Sequence, residues 1–348
     1  MTIDRTETDT HTHTHTDTGA AFATETFLCG PRRSPRQMLA EQRYDGHESL
    51  HDDAMAERLG FAAGPIEGPT HFSQFAPLLA GMWGRAWFER GCLSAHYRNM
   101  VVEGEQVRAF VAHSAADSGS DGGPLRIWAE KHDGVEVLVG TASLEPEAGP
   151  DAGLPRPATE IEERLAALRP PGPLVILRDL RVGMRGRAPE PVRIEFDQHM
   201  GDLYPFTLRQ KLEGITEPSP WYEEEGGRSS PWGRAIVPLE MVSVLMQYTS
   251  RAAGFPVRGP AIGLFAGQQI RMLRGPVFVG RQYRIEREIV ALSESRRTES
   301  SWIRSTLIDA DSELAVAEMI LNSATLKHSY EPYERELAEL RCAAGETS

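Results

Sequence analysis

The chain predicts an α+β protein made of two similar units in tandem, each an antiparallel sheet wrapped around a long central helix. Three observations point to it. At 348 residues the chain is too long for one small core. A mostly apolar helical run followed by several alternating strand patterns occurs twice. Between the two occurrences lies a stretch rich in Pro, Gly, Ala and Glu, residues 145–173. The expected division is a tail at 1–20, a first unit at 21–148, a linker with a short helix at 149–173, a second unit at 174–328 and a C-terminal tail at 329–348.

In the first unit, a polar loop at Tyr44–His51 leads into a short helix ending at Gly60. The central helix then runs over about Pro65–Glu89. The pattern predicts strands near Leu93–Val101, Gln106–Ser114, Leu125–Lys131 and Val135–Leu144. Val107, Ala109 and Val111 show the alternation of a half-buried strand. Ser118–Pro124 reads as a flexible hairpin loop. Thr159–Leu168, ahead of Pro170-Pro171, reads as the short linker helix.

The second unit repeats the plan. Ala235-Ile236-Val237-Pro238 enters a helical run over Leu239–Ala253. Arg274–Gly280 forms a hairpin corner, and strands follow near Gln282–Ser293, Ser301–Ile308 and Glu313–Leu321. In both units the pattern places one sheet face on an apolar helix.

Composition narrows the class. A net charge of −13 argues against broad nucleic-acid binding, which needs a basic surface. No apolar run is long enough to span a bilayer, and the N-terminus lacks an apolar signal region. Cys29, Cys92 and Cys342 are odd in number and far apart, so neither a disulfide framework nor metal spacing is visible and a reducing cytoplasm fits. Residues 1–20 are rich in Thr, Asp and His and are expected to be a solvated, disordered tail; its histidines could hold a metal ion only adventitiously. There is no Gly-rich nucleotide loop, nucleophile elbow or zinc-type histidine pair.

The stretch from Tyr44 to Val111 carries a resemblance. Leu59-Gly60-Phe61, Pro65-Ile66-Glu67-Gly68, His51 and the corner Tyr97–Glu105 are similar to the turn, helix entry, motif histidine and hairpin of the MaoC-like (R)-specific enoyl-CoA hydratases. The chain therefore resembles a tandem (double) hot-dog protein. Two departures stand out: Glu48-Ser49 replaces the family's Asn-Pro, and Gly46 stands where the family has its catalytic aspartate, with Asp45 one residue further away.

The resemblance implies reversible hydration or dehydration of an acyl thioester. His51 would be the base, and Asp45 or Glu48 the acid, on one shared water. The helix-start N–H of Gly68 would meet the thioester oxygen, with Thr70 and His71 beside it. His47 is a second candidate base. No cofactor or metal is implied; the substrate would be an acyl-CoA or an acyl-carrier thioester, and a homodimer is compatible with this picture. In the second unit, Glu217 and Tyr222 keep the motif spacing, with glutamate for aspartate and tyrosine for histidine, so this unit is read as mainly a substrate wall. Arg32, Arg33 and Arg36 could contact phosphates, although a solvated charge run is the simpler reading. The helical run Met82, Trp83, Trp87, Phe88 is read as core. Two rival functions share the fold: thioester hydrolysis, which needs only the acid, and a non-catalytic acyl- or polyketide-binding tunnel, which needs neither group.

Overall fold

The alternating segments form one continuous nine-stranded sheet in which every pairing is antiparallel. The computed structural model describes residues 26–44, 47–113, 124–146, 156–188 and 190–343. Its strands are β1 (Thr26–Cys29), β2 (Arg43–Tyr44), β3 (His47–Glu48), β4 (Gly91–Tyr97), β5 (Val107–His113), β6 (Leu125–Lys131), β7 (Glu136–Leu144), β8 (Gly263–Met272), β9 (Tyr283–Glu294), β10 (Thr298–Asp309) and β11 (Ala315–Leu326). The helices are α1 (Asp53–Arg58), α2 (Ala76–Trp83), α3 (Arg85–Arg90), α4 (Glu160–Ala166), α5 (Leu208–Gly214), α6 (Glu224–Arg228), α7 (Leu239–Gln247) and α8 (Tyr333–Ala343). The sheet order is β1-β5-β6-β7-β4-β8-β11-β10-β9, while β2 and β3 pair separately.

This order makes the two halves mirror one another in sequence about the β4–β8 seam. Outward from the seam run β7, β6, β5 on one side and β11, β10, β9 on the other. At the seam Leu93 pairs Ile270 and Ser94 pairs Gln269. The corners match as well: Gly104 (φ 90°) and Gly280 (φ 77°) occupy the same turn, between Val101 and Val107 in one half and Val277 and Tyr283 in the other. A positive φ at each corner is readily adopted by glycine. Val107, Ala109 and Val111 are all buried, as their alternation predicts.

The apolar faces of both halves merge into one cluster. Phe72, Phe75 and Leu79 from the first central helix join Met241 and Leu245 of α7 with Leu93, Ile127, Leu138, Ile270 and Met319 of the sheet. The linker helix α4 lies across the seam. Ile161 is buried, its N–H donates to Ser94 Oγ (2.9 Å), and Thr159 Oγ1 donates to Gln269 Oε1. A Thr159–Glu162 capping box starts this helix.

Several expectations need correction. The first central helix is not continuous: it begins as a 3₁₀ helix over Gly68–Phe75, becomes α2, and breaks at Gly84 (φ 58°) before α3. Gly-Pro at its start and Gly84 inside it account for the irregularity. The run at Leu239–Ala253 likewise divides into α7 and a short 3₁₀ turn, Ser250–Ala253. Strand β8 is far longer than the lead-in expected at Ile270–Leu273, because Gly263, Gly267 and three polar residues obscure its pattern. The stretch expected as a C-terminal tail holds α8, anchored by buried Tyr333, whose hydroxyl donates to Glu299 Oε1 (3.0 Å). The expected N-terminal tail, the loop at 118–123, the linker part 149–155, Asp45 and Gly46 lie outside the described residues.

Candidate active site

The two halves supply equivalent loops. Pro65 bridges Val102 as Ile236 bridges Phe278, and Ile66 N–H donates to Val101 O (2.7 Å) as Val237 N–H donates to Val277 O (2.8 Å). Counting from these bridges, His51 corresponds to Tyr222, Gly46 to Glu217, Glu67 to Pro238 and Gly68 to Leu239. Helix α1 begins two residues after His51, and α6 two after Tyr222. The motif is therefore divided, with a histidine in the first half and a carboxylate in the second.

His51 is half-buried and borders a surface cleft of about 330 Å³ shared with Gln37, Asp52, Asp53 and Glu103. Its Nδ1 lies 2.6 Å from Pro65 O. A carbonyl can only accept, so Nδ1 carries the proton and the Nε2 lone pair is left available. Burial lowers the imidazole pKa to about 4, against the raising effect of the Pro65 bond and helped by the Lys211 charge. The His51 ring is thus neutral near pH 7. Gln37 Nε2 also donates to Pro65 O, and Gly64 packs so tightly that an added Cβ would lie 2.2 Å from His51 O.

The neighbouring loop acids have local tasks. Asp52 Oδ1 accepts from Met55 N–H (2.9 Å) and caps α1; Asp53 Oδ1 accepts from Gly64 N–H (2.8 Å). The backbones of His47 and Glu48 belong to β3, while their side chains, like Asp45, lie outside what is described.

Gly68 begins the first central helix as expected, but its bare side faces Tyr97. A Cβ there would meet Tyr97 Cζ at 2.6 Å and Cε1 and Cε2 at 2.9 Å. The glycine admits an aromatic ring on that side. Gly68→Ala is accordingly expected to destabilise the fold by about 1–3 kcal/mol through overpacking. Urea unfolding checks this, and an unchanged midpoint would show that the ring moves aside freely.

Thr70 and His71 do not border the cleft. Thr70 is buried and its Oγ1 accepts from Lys211 Nζ (3.0 Å). His71 is buried, and burial with the nearby Lys211 and Lys131 charges lowers its pKa to about 4. Around Thr70 lies a charge cluster that motif reading missed. Lys211, 3 % exposed, pairs with Glu240 at 3.0 Å and lies 4.0 Å from Glu67. Ser73 Oγ also donates to Glu240 Oε1 (2.6 Å). Glu67 is the N-cap residue of the first central helix and Glu240 lies in the first turn of α7. Burial raises Glu67 to about 7; Lys211 pulls it down and Glu240 pushes it further up. For Lys211, burial lowers the pKa, but Glu240 and Glu67 outweigh it and the net direction is up. The available signal was a lone glutamate at each apolar helix entry, Pro65-Ile66-Glu67 and Pro238-Leu239-Glu240.

The second-half loop is built differently. Glu217 is held by Arg33 through two hydrogen bonds, Nε at 2.6 Å and Nη2 at 3.2 Å. Tyr222 is buried, and burial, with the Glu240 and Glu217 charges, raises its phenol well above the ordinary range, the opposite of what a base requires. It lines a narrow apolar pocket with Trp87, Phe88, Val237 and Leu239, with room for about one water. Phe88 packs edge-on against Trp221 and Trp232, so the aromatic run of the first half walls this pocket. Of the arginines read as phosphate candidates, Arg33 is committed to Glu217, while Arg32 and Arg36 are exposed. Among the described residues no group of His, Cys, Asp or Glu could hold a metal ion, and no helix is long and apolar enough to cross a membrane.

No model of a protein family matches the chain, and no curated protein does. Solved structures do. A MaoC domain protein from Chloroflexus aurantiacus is 14 % identical, with 86 % of this chain and 94 % of that one covered and a TM-score of 0.51. A conserved hypothetical protein from Mycobacterium tuberculosis, described as having a double hotdog fold, is 11 % identical, covering 88 % of this chain and 97 % of that one at a TM-score of 0.50. With its seam-joined antiparallel halves and paired central helices, the chain has the double hot-dog fold.

Proposed function

We propose that the protein catalyses reversible hydration or dehydration of an acyl thioester, in the manner of MaoC-like enzymes, with His51 as the base. One observation carries the reading: the 2.6 Å bond to Pro65 O sets the His51 tautomer, so that a residue lining the cleft keeps its Nε2 lone pair for a proton. In hydration, Nε2 takes a proton from water while the oxygen bonds the β-carbon, and a carboxylic acid protonates the α-carbon. The sequence nominates Asp45 or Glu48 as that acid. The thioester oxygen is stabilised by the Gly68 N–H at the start of the first central helix, since Pro69 has no N–H and the Thr70 N–H donates to Glu67 O (3.1 Å).

The C. aurantiacus protein is provisionally described as a dehydratase, which agrees with this reading. The acyl group is carried as a CoA or carrier-protein thioester and no cofactor takes part. The assignment to the cytoplasm follows only from cysteine usage. The test is loss of enoyl absorbance when purified protein meets short enoyl-CoA thioesters. Equal rates for wild type and His51→Ala would overturn the reading.

A further inference from the structure

We propose that Glu67 is the acid that works opposite His51, donating the proton to the substrate α-carbon. The proposal rests on the hydratase reading above and deepens it.

Three structural observations support it. First, Glu67 follows Pro65 by two residues, and Pro65 O anchors the His51 ring. Base and acid are thus tied to one short segment that enters the central helix. Second, Glu67 is 6 % exposed and its Oε1 has no hydrogen-bond partner. A buried polar group of this kind has a cost that a purely structural role leaves unrecovered. Third, one ammonium serves two carboxyls. Lys211 gives its close contact to Glu240, which also takes the Ser73 hydroxyl, and stands 4.0 Å from Glu67. The closer carboxylate takes most of the ammonium's attraction, which favours the protonated form of the second acid. The groups whose charge bears on Glu67, or that feel its own, are Lys211 from α5, Glu240 from α7, Tyr97 from β4, Tyr44 from β2 and Tyr204. Burial with the Lys211 and Glu240 charges gives Glu67 a pKa of about 7, which agrees with a proton held and released near neutrality.

The pseudo-equivalent positions sharpen the argument. His51 and Glu67 correspond to Tyr222 and Pro238, so only the first half carries a base and an acid at these two places. The step balances as follows. Water gives a proton to His51 Nε2 and its oxygen forms the C–O bond at the β-carbon. The π pair of the double bond forms the C–H bond at the α-carbon with the proton from Glu67. Imidazolium and carboxylate then return to their starting forms when one proton passes from the first to the second through solvent.

The test is the pH profile of enoyl-thioester hydration by the full chain. Wild type is expected to give a bell, rising as His51 loses its proton near pH 4 and falling as Glu67 loses its own near pH 7. Glu67→Gln should lower kcat roughly 100-fold or more and remove the alkaline limb. Glu240→Gln removes a charge that raises the Glu67 pKa, so its alkaline limb should move to lower pH with the limb itself retained. A structural role would move neither limb. Infrared difference spectra between wild type and Glu67→Gln should show a protonated carboxyl at pH 6, a readout independent of turnover. If Glu67→Gln keeps wild-type kcat and profile while His51→Ala is inert, the Glu67 assignment falls and the hydratase reading stands. If Asp45→Asn or Glu48→Gln is inert and Glu67→Gln is not, the acid lies in the loop. An inert wild type overturns both proposals.

Discussion

Lys211→Met is expected to destabilise the folded protein by about 3–5 kcal/mol, because it leaves Glu240 buried without its counter-charge and removes the charge that lowers the Glu67 pKa. The methionine fills most of the lysine stem, so the loss reports charge more than volume. The effect carries a pH signature. Glu67 already has a folded pKa raised to about 7, above its ordinary 4.5. A raised acid contributes stability that is present below the unfolded value and is lost as pH rises through the folded one. Removing the Lys211 charge raises Glu67 further, so the deficit should be largest in neutral and alkaline buffer and shrink on acidification. Denaturant unfolding between pH 5 and 8 measures it. Replacing the trio together, Lys211→Met with Glu67→Leu and Glu240→Leu, should recover much of the loss, since apolar groups of similar volume have no charge to desolvate. A single-variant cost below about 1 kcal/mol would show that solvent reaches the cluster.

His51→Ala is expected to lower the hydration rate by about 10²- to 10⁴-fold, the usual contribution of a positioned base. The bond to Pro65 O complicates a simple truncation, since His51 also holds the loop to the helix entry. His51→Gln separates the two roles. A glutamine N–H can still donate to Pro65 O, but the amide offers no base. Unchanged thermal stability with lost turnover in His51→Gln assigns the effect to proton transfer. Loss of both in the two variants would assign it to loop order. In wild type the base needs a neutral ring, so activity should fall as pH drops through about 4, well below the ordinary histidine value.

The two expectations concern one junction, where the entries of both central helices meet. Glu67 begins one entry and Glu240 the other, and Lys211 reaches both from α5. Charge stability and proton chemistry are therefore coupled. A substitution that strengthens the Lys211–Glu67 attraction would ionise the acid and lower its use as a donor at neutral pH.

Periodicity and turn chemistry made most of the architecture legible. The alternation of Val107, Ala109 and Val111 marked a strand, Pro170-Pro171 marked the far side of the linker helix, and a helical run followed by alternating strands, met twice, marked the repeat. His51 was singled out by its resemblance to the motif histidine of the MaoC-like hydratases, ahead of a short helix and a Gly-Phe turn. These are local signals, set by a few adjoining residues. Strand β8, the break at Gly84 and the packing of α8 were not readable, because glycines and polar residues blur their periods and only distant partners stabilise them.

The pairings that decide the chemistry are of the distant kind. Tyr97 reaches Gly68 across the first half, Arg33 ties up Glu217 from the other half, and Lys211 unites two helix entries far apart in the chain. Amino-acid order established two repeated units and one histidine loop, since side-chain period and turn residues act over a few positions. Which carboxyl lies closest to the buried lysine, and which glycine face meets a ring, depended on the folded seam: burial and Coulomb forces act through space, and only the closed sheet brings their sources together.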